Sequence, residues 1–151
     1  MAAAEDAPAI VSVLDEAFAE YRPLYTEKGF STTTPGIDQI GTRMNEGPMW
    51  VALSDEIVVG TVSAVTREKS LYIRGMAVLP STRGKRIGEL LLQEIEAYAA
   101  ERGIKRLFLS TTPFLSRAIK LYERYGFKRC ADGPNELFGT PLFTMEKQLD
   151  I

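Results

Sequence analysis

The chain contains no histidine and a single cysteine, Cys130. Without histidine the Ser-His-Asp and Cys-His catalytic triads are excluded, and a zinc site loses its commonest ligand. One cysteine cannot close an internal disulfide, so oxidative folding is not implied. Cys130 reads as a small hydrophobe in the core or at a strand edge. No apolar run approaches the roughly 20 residues a membrane span requires. The Met1-Ala2-Ala3-Ala4 start lacks the basic region of a secretory leader, and a cytoplasmic location is the expectation. Charge of either sign is also not in excess: 18 Lys and Arg face 20 Asp and Glu, a net charge of −2. That balance excludes a broadly basic nucleic-acid binder. It leaves room for a local basic site that takes a small anion. Neither a metal, a nucleic acid nor a membrane is an expected partner. Any general base must be Asp, Glu, Tyr, Lys, Cys or water.

What is present fits one compact domain. The chain has 151 residues, 45% of them apolar and 25% charged. At this length roughly 70% of the unfolded surface can be buried, so no metal or disulfide staple is needed.

Asp6 and Pro8 open a helical pattern in which Ile10, Val13, Leu14, Ala17, Phe18 and Tyr21 recur on one face, and Pro23 is expected to end it. Residues 22–36, rich in Thr, Pro and Gly, read as a loop. A second helix is expected from Pro35 to Asn45, broken by Gly47-Pro48. Met49–Leu53, Ile57–Val65 and Leu71–Val78 read as three strands joined by short polar turns, an antiparallel meander. Ile87, Leu90, Leu91, Ile95, Tyr98 and Ala99 then mark an amphipathic helix, with Gly103 at its C-terminal cap. Leu107–Leu109 is a short buried strand. Thr112-Pro113 reads as an N-cap followed by proline at the first helical position. Ala118, Leu121, Tyr122 and Tyr125 form that helix's inner face, and Gly126 ends it. Strands are expected from Phe127 and over Leu142–Met145. The unit from Leu71 to Leu109 is expected to be a right-handed parallel crossover. The fold class is α+β, or mixed α/β: one central, mostly antiparallel sheet with a single parallel pair, flanked by four helices.

The most informative stretch is Val78-Leu79-Pro80-Ser81-Thr82-Arg83-Gly84-Lys85-Arg86-Ile87-Gly88. It joins a strand's end to a helix's start, where free N–H groups and the helix dipole suit phosphate. Gly84 and Gly88 allow close approach of the main chain to an anion, and Arg83, Lys85 and Arg86 add positive charge. It is neither a Walker A loop, which needs Gly-Lys followed by Ser or Thr, nor a three-glycine dinucleotide fingerprint. On spacing alone, a solvated basic turn stands beside the anion loop as an equal reading.

Arg83–Gly88 resembles the (Gln/Arg)-x-x-Gly-x-(Gly/Ala) signature of the GNAT superfamily of acyl-CoA-dependent N-acetyltransferases. The preceding Val78-x-Pro80 and the following Leu90-Leu91 extend the likeness. Arg86 stands where the family usually has an inner glycine, so its side chain must point outward or the loop must adjust. A second block, Ala118 to Phe127, is similar to the family's Ala-x-x-Leu-Tyr-x-x-x-Gly-Phe segment, with Leu115 where an asparagine often lies. The resemblance covers nearly the whole chain, 1–151, as one N-acetyltransferase domain. Family members usually begin with a strand before the first helix, and here that strand is expected to be short or absent.

The resemblance implies transfer of an acetyl group from acetyl-CoA, as cosubstrate, to a primary amine of a small molecule or peptide by direct attack in a ternary complex. It implies that Arg83, Gly84, Lys85, Arg86, Ile87 and Gly88 hold the pyrophosphate. It implies that the edge of Met76, Ala77 and Val78 pairs with the pantetheine amides, with an N–H near Ala77 as oxyanion donor. Tyr122 becomes the candidate general acid for the departing thiolate, against its plain reading as a core aromatic. Tyr125 reads as packing. Tyr21, Arg22 and Tyr25 are the acceptor-binding candidates, with Phe30 completing an aromatic wall and Arg22 selecting an acid group; Arg74 and Ser110 are further candidates. Glu20, Asp55 and Glu68 qualify as bases by residue type only, beside a water relay. Sheet edges leave a homodimer open. The alternative reading is a non-catalytic acyl-CoA-binding or sensing module.

Overall fold

The computed structural model describes residues 1–150. Its strands are β1 (Met49–Ser54), β2 (Ile57–Arg67), β3 (Ser70–Val78), β4 (Arg106–Thr111), β5 (Lys128–Cys130), β6 (Glu136–Leu137), β7 (Thr140–Pro141) and β8 (Phe143–Gln148). The helices are α1 (Ala7–Phe18), α2 (Glu27–Thr33), α3 (Ile37–Glu46), α4 (Ile87–Glu101) and α5 (Ser116–Arg124). Six strands form the central sheet in the order β1-β2-β3-β4-β8-β5. The β3–β4 pair is parallel and the other pairs are antiparallel. The expected mixed fold with one parallel pair is therefore the fold observed.

The periodicity of the strands explains the two cores. Leu71, Ile73, Leu107 and Leu109 alternate inward on one face and pack with Leu91, Leu92 and Ile95 of α4 and Tyr122 of α5. On the other face, Ile10, Val13 and Leu14 of α1 and Ile40 of α3 pack with Met49 and Ala77. Each fully buried Leu or Ile contributes about 1.5–3 kcal/mol relative to exposure. The sheet is thus held from both sides. Among the described residues no helix is long and apolar enough to cross a membrane.

The structure departs from the sequence reading in three places. First, five helices flank the sheet, not four, because residues 22–36 are not a plain loop. After α1 the chain continues as a 3-10 helix over Ala19–Leu24 with Pro23 inside it. Then α2 starts at Thr26, whose hydroxyl accepts the Gly29 N–H at 3.0 Å; this N-cap is a short-range signal that the Thr-rich composition masked. Second, α5 is capped by Leu115 rather than Thr112, with a turn from Thr112 to Leu115 in between (Leu115 N–H to Thr112 O, 3.2 Å). Third, the hairpin β6–β7 was not expected. Its two-residue strands carry too few residues for a period to show. No strand precedes α1 among the described residues; the Ala2 N–H donates one bond to the Met49 carbonyl at 2.7 Å.

Candidate active site

The parallel pair β3–β4 is registered only from Ser70–Ile73 against Arg106–Leu109. Beyond it, β3 stays with β2 as far as Val78, and β4 stays with β8 as far as Thr111. The two strands therefore splay. Met76, Ala77 and Val78 leave one edge unpaired toward the gap, and alternate backbone N–H and C=O groups on such an edge are free to bond another extended chain. A shift of register between Thr61 and Ser63 against β3 marks a bulge at the splay. Gly75 sits there with φ +63°. A cleft of about 660 Å³ runs through this gap, lined by all three edge residues.

The loop after β3 forms one mouth of the cleft. A turn over Pro80–Thr82 folds the chain back, and the Arg83 and Lys85 N–H groups are consumed there, bonding Pro80 O and Thr82 O at 3.3 Å each. Among the described residues, the N–H groups of Gly84, Arg86, Ile87 and Gly88, and of Glu89 beyond them, have no protein acceptor. Gly84 at φ +88° and Arg86 at φ 60°, ψ 25° bend the main chain into a concave run of amides at the head of α4. The residue in the family's glycine position thus takes a left-handed conformation that glycine adopts freely. Its side chain is exposed. Gly88 is buried because α5 lies against it: a Cβ there would stand 2.6 Å from Leu121 Cδ2. Arg83 is ion-paired with Glu20 at the cleft rim. These amides, with Arg83 and Arg86 beside them, fit a diphosphate.

Tyr122 lies across the same cleft, on α5. Its ring packs on Phe127 at 5.8 Å, and the residue is 7% exposed. Burial, and then the nearby Tyr25 phenol, push its hydroxyl well above the ordinary phenol range, so it is protonated at neutral pH. No protein group bonds that hydroxyl among the described residues. The cleft lining holds both the amide run and Tyr122, so one channel joins them. Tyr25 stands edge-on to Phe114 at 4.9 Å and to Phe30 at 5.9 Å. Its hydroxyl is also raised, chiefly by burial. Tyr21 is tilted against Phe114 at 6.2 Å, and both Tyr21 and Tyr25 line the cleft. The Thr112 hydroxyl, which caps no helix, is buried in this wall without a hydrogen-bond partner.

Other sequence candidates lie elsewhere. Arg22 is exposed, with its guanidinium 5.1 Å from the Phe30 ring centre, and does not line the cleft. Lys85 is exposed and does not line the cleft either. Tyr125 donates to Glu96 at 3.1 Å and is pushed up to about 12, first by burial and then by that carboxylate. Cys130 lies on β5, at the sheet's edge, its thiol raised by burial and by Glu146. Asp55 and Glu68 occupy the β1–β2 and β2–β3 hairpin tips, and Glu20 is committed to Arg83. Among the described residues Glu89 is the one carboxylate that lines the cleft, and it pairs with Arg124 at 3.5 Å. Sequence reasoning missed Arg43 and Arg67, which line the cleft beside Arg74 and Ser110. Nothing local marks them: they sit on α3 and at the end of β2, and only folding brings them to the splay.

A cleft with an unpaired strand edge along it and free main-chain amides at its mouth can take an extended ligand that ends in a diphosphate. The chain belongs to the acetyltransferase (GNAT) family, whose model matches residues 10–127. It is an acyl-CoA-dependent N-acetyltransferase that moves an acetyl group from its cosubstrate, acetyl-CoA, to an amine. It is 34% identical over 130 residues to the uncharacterised N-acetyltransferase YjgM of Escherichia coli (strain K12), covering 82% of this chain and 77% of that protein. It is 35% identical over 86 residues to human N-acetyltransferase 8B, covering 53% of this chain and 38% of that one. The fold is that of the PaiA N-acetyltransferase of Thermoplasma acidophilum in complex with coenzyme A (TM-score 0.79, 20% identity, 97% of this chain and 95% of that chain).

Proposed function

We propose that residues 1–151 form one N-acetyltransferase domain in which a primary amine attacks the thioester directly, in a ternary complex. The observation that supports this reading most is the single cleft, running through the β3–β4 splay, whose lining includes Tyr122 as well as Gly84, Arg86, Ile87 and Gly88 with their free amides. Gly84, Arg86, Ile87 and Gly88 hold the pyrophosphate through their N–H groups, with Arg83 and Arg86 supplying charge. The edge of Met76, Ala77 and Val78 bonds the pantetheine amides as an added strand. An N–H near Ala77 stabilises the developing oxyanion. As the C–N bond forms and the C–S bond breaks, the Tyr122 hydroxyl gives its proton to the departing sulfur. Its raised pKa keeps it in the acid form but makes it a weaker donor, so the transfer depends on placing the hydroxyl against the sulfur as the thiolate's charge develops. Tyr21 and Tyr25 wall the acceptor. No free carboxylate stands at that end of the cleft among the described residues, so the amine's proton leaves through water rather than to a side-chain base.

Initial rates of thiol release from acetyl-CoA, measured over a panel of primary amines, test the reading. Intersecting double-reciprocal plots are expected. Parallel plots would signal an acyl-enzyme and overturn it; Cys130, remote on β5, does not offer a nucleophile to the cleft. A cytoplasmic location fits the free thiol of Cys130, and the open edges of β1 and β5 leave a homodimer to be sought by sedimentation.

A further inference from the structure

The cleft's other end is cationic in a way the transfer reaction does not require. Arg74 lies two residues beyond Tyr72 on β3, just before the Gly75 bulge. Arg43, from α3, lies across that bulge: a Cβ on Gly75 would stand 3.0 Å from Arg43 Nη1. Arg67 stacks over Tyr72, its guanidinium carbon 4.4 Å from the ring centre. All three line the cleft. Only one carboxylate answers them. Glu46 accepts from Arg74 Nη2 at 2.5 Å, and that bond holds the Glu46 carboxyl below its usual range. Among the described residues Arg43 has no carboxylate partner; its sole side-chain bond goes to the Thr32 carbonyl at 3.3 Å. Arg74 Nε is buried with no partner at all.

This arrangement opposes folding. Burial, and then the like charge of Arg74, pull the Arg43 guanidinium below its ordinary range. An orphaned buried donor and two adjacent like charges each destabilise the native state. Groups of this kind persist where a ligand completes them. A planar guanidinium pair with unused donors matches a carboxylate, which accepts two parallel N–H bonds. Their position matters as much. The bulge lies next to the Met76–Val78 edge that holds the pantetheine arm, on the side away from the amide loop. At about 3.3 Å per strand residue, Arg74 lies within one small molecule's length of the expected thioester.

We propose that Arg43 and Arg74 bind a carboxylate of the acceptor, so that the substrate class is an amino acid whose amine lies a few bonds from its carboxyl group. The proposal rests on the reading of the cleft as an amine acetylation site. The chemistry balances as before: the amine nitrogen gains the acetyl carbon and loses a proton, and the thiolate gains one. The arginines take no part in bond making and act by orienting the nitrogen toward the thioester.

The test compares α- and β-amino acids with their carboxamides as acceptors, by thiol release from acetyl-CoA. The carboxylates are expected to exceed the carboxamides at least about tenfold in kcat/KM, the scale of one charge-assisted bidentate contact. Arg74→Met and Arg43→Met should raise KM for the carboxylates, erase the preference and leave acetyl-CoA affinity by calorimetry unchanged. Arg74→Lys should restore part of the preference. The melting temperature of Arg43→Met, whose guanidinium has no carboxylate partner, should equal or exceed that of the wild type, which a structural role for that arginine would not allow. Carboxamides used as well as or better than carboxylates would overturn the proposal alone. No thiol release with any amine would overturn the acetylation reading itself, and the proposal with it.

Discussion

The two ends of the cleft work by different means. At one end, the run from Gly84 to Gly88 presents main-chain amides, all within a single stretch of sequence at the head of α4. At the other, Arg43, Arg67, Arg74, Tyr25 and Thr112 present side chains from α3, β2, β3 and the segments before α2 and after β4. Amide chemistry is independent of residue type but needs a fixed backbone path. Side-chain chemistry tolerates a varied path but needs long-range assembly. Substitutions that bend the backbone should therefore strike the cofactor end, and deletions of functional groups should strike the acceptor end.

The largest effect is expected from Tyr122→Phe, which removes a proton donor but keeps the ring. kcat should fall about 100-fold, while acetyl-CoA affinity by calorimetry stays within about twofold. An equal loss in both would make Tyr122 a packing residue. The same variant carries a stability signature. Tyr122 has a raised pKa in the fold, so above about pH 10 the unfolded chain ionises while the native phenol does not. Stability then falls as pH rises. In thermal melts, Tyr122→Phe should flatten part of that alkaline decline, and an unchanged decline would contradict the burial.

Gly84→Ala isolates the backbone path, since a Cβ there meets nothing within 4 Å and only φ +88° resists it. At about 1 kcal/mol of strain, acetyl-CoA should bind about fivefold more weakly, with kcat at saturation unchanged. A drop in kcat instead would blur the distinction between the two ends. Thr140→Val probes the acceptor side. The Thr140 hydroxyl accepts the Thr26 N–H at 2.9 Å and lies 3.1 Å from the Thr26 hydroxyl, tying the β6–β7 hairpin to the head of α2. Loss of these bonds should cost about 1 kcal/mol in denaturant unfolding and raise the acceptor KM while leaving acetyl-CoA affinity alone. The smallest effect belongs to Arg86→Gly. It relieves the left-handed strain at φ 60° but adds unfolded-state freedom, so the net change in stability should stay within about 0.5 kcal/mol. A large loss would mean that the Arg86 side chain holds the loop in shape.

Much of the scaffold was legible because its signals are local. β2 and β3 alternate or run apolar over nine or more residues, α4 repeats its apolar face over 15, and the strand–loop–helix junction concentrates glycine and charge. The short elements were not. α2 has seven residues and its cap, Thr26, sits in a stretch crowded with other threonines. Thr112 resembles an N-cap in sequence, yet an intervening turn delays α5 to Ser116 and leaves its hydroxyl to the cleft. Arg22, three residues from Tyr25, looked equally suited to an acceptor, but the 3-10 helix turns it outward onto Phe30.

By itself the sequence determined the class of chemistry. The absence of histidine removed whole families of mechanism, and the resemblance of the Arg83–Gly88 and Ala118–Phe127 blocks to the acetyltransferase family, rather than the spacing of the basic turn alone, pointed to a cofactor with a diphosphate. Tertiary structure alone decided which amides stay free, where β3 and β4 part, and which arginines gather along the cleft there. Those outcomes depend on contacts between residues tens of positions apart, such as Arg43 with Gly75, and on the competition for each donor within the folded chain. No local pattern records either.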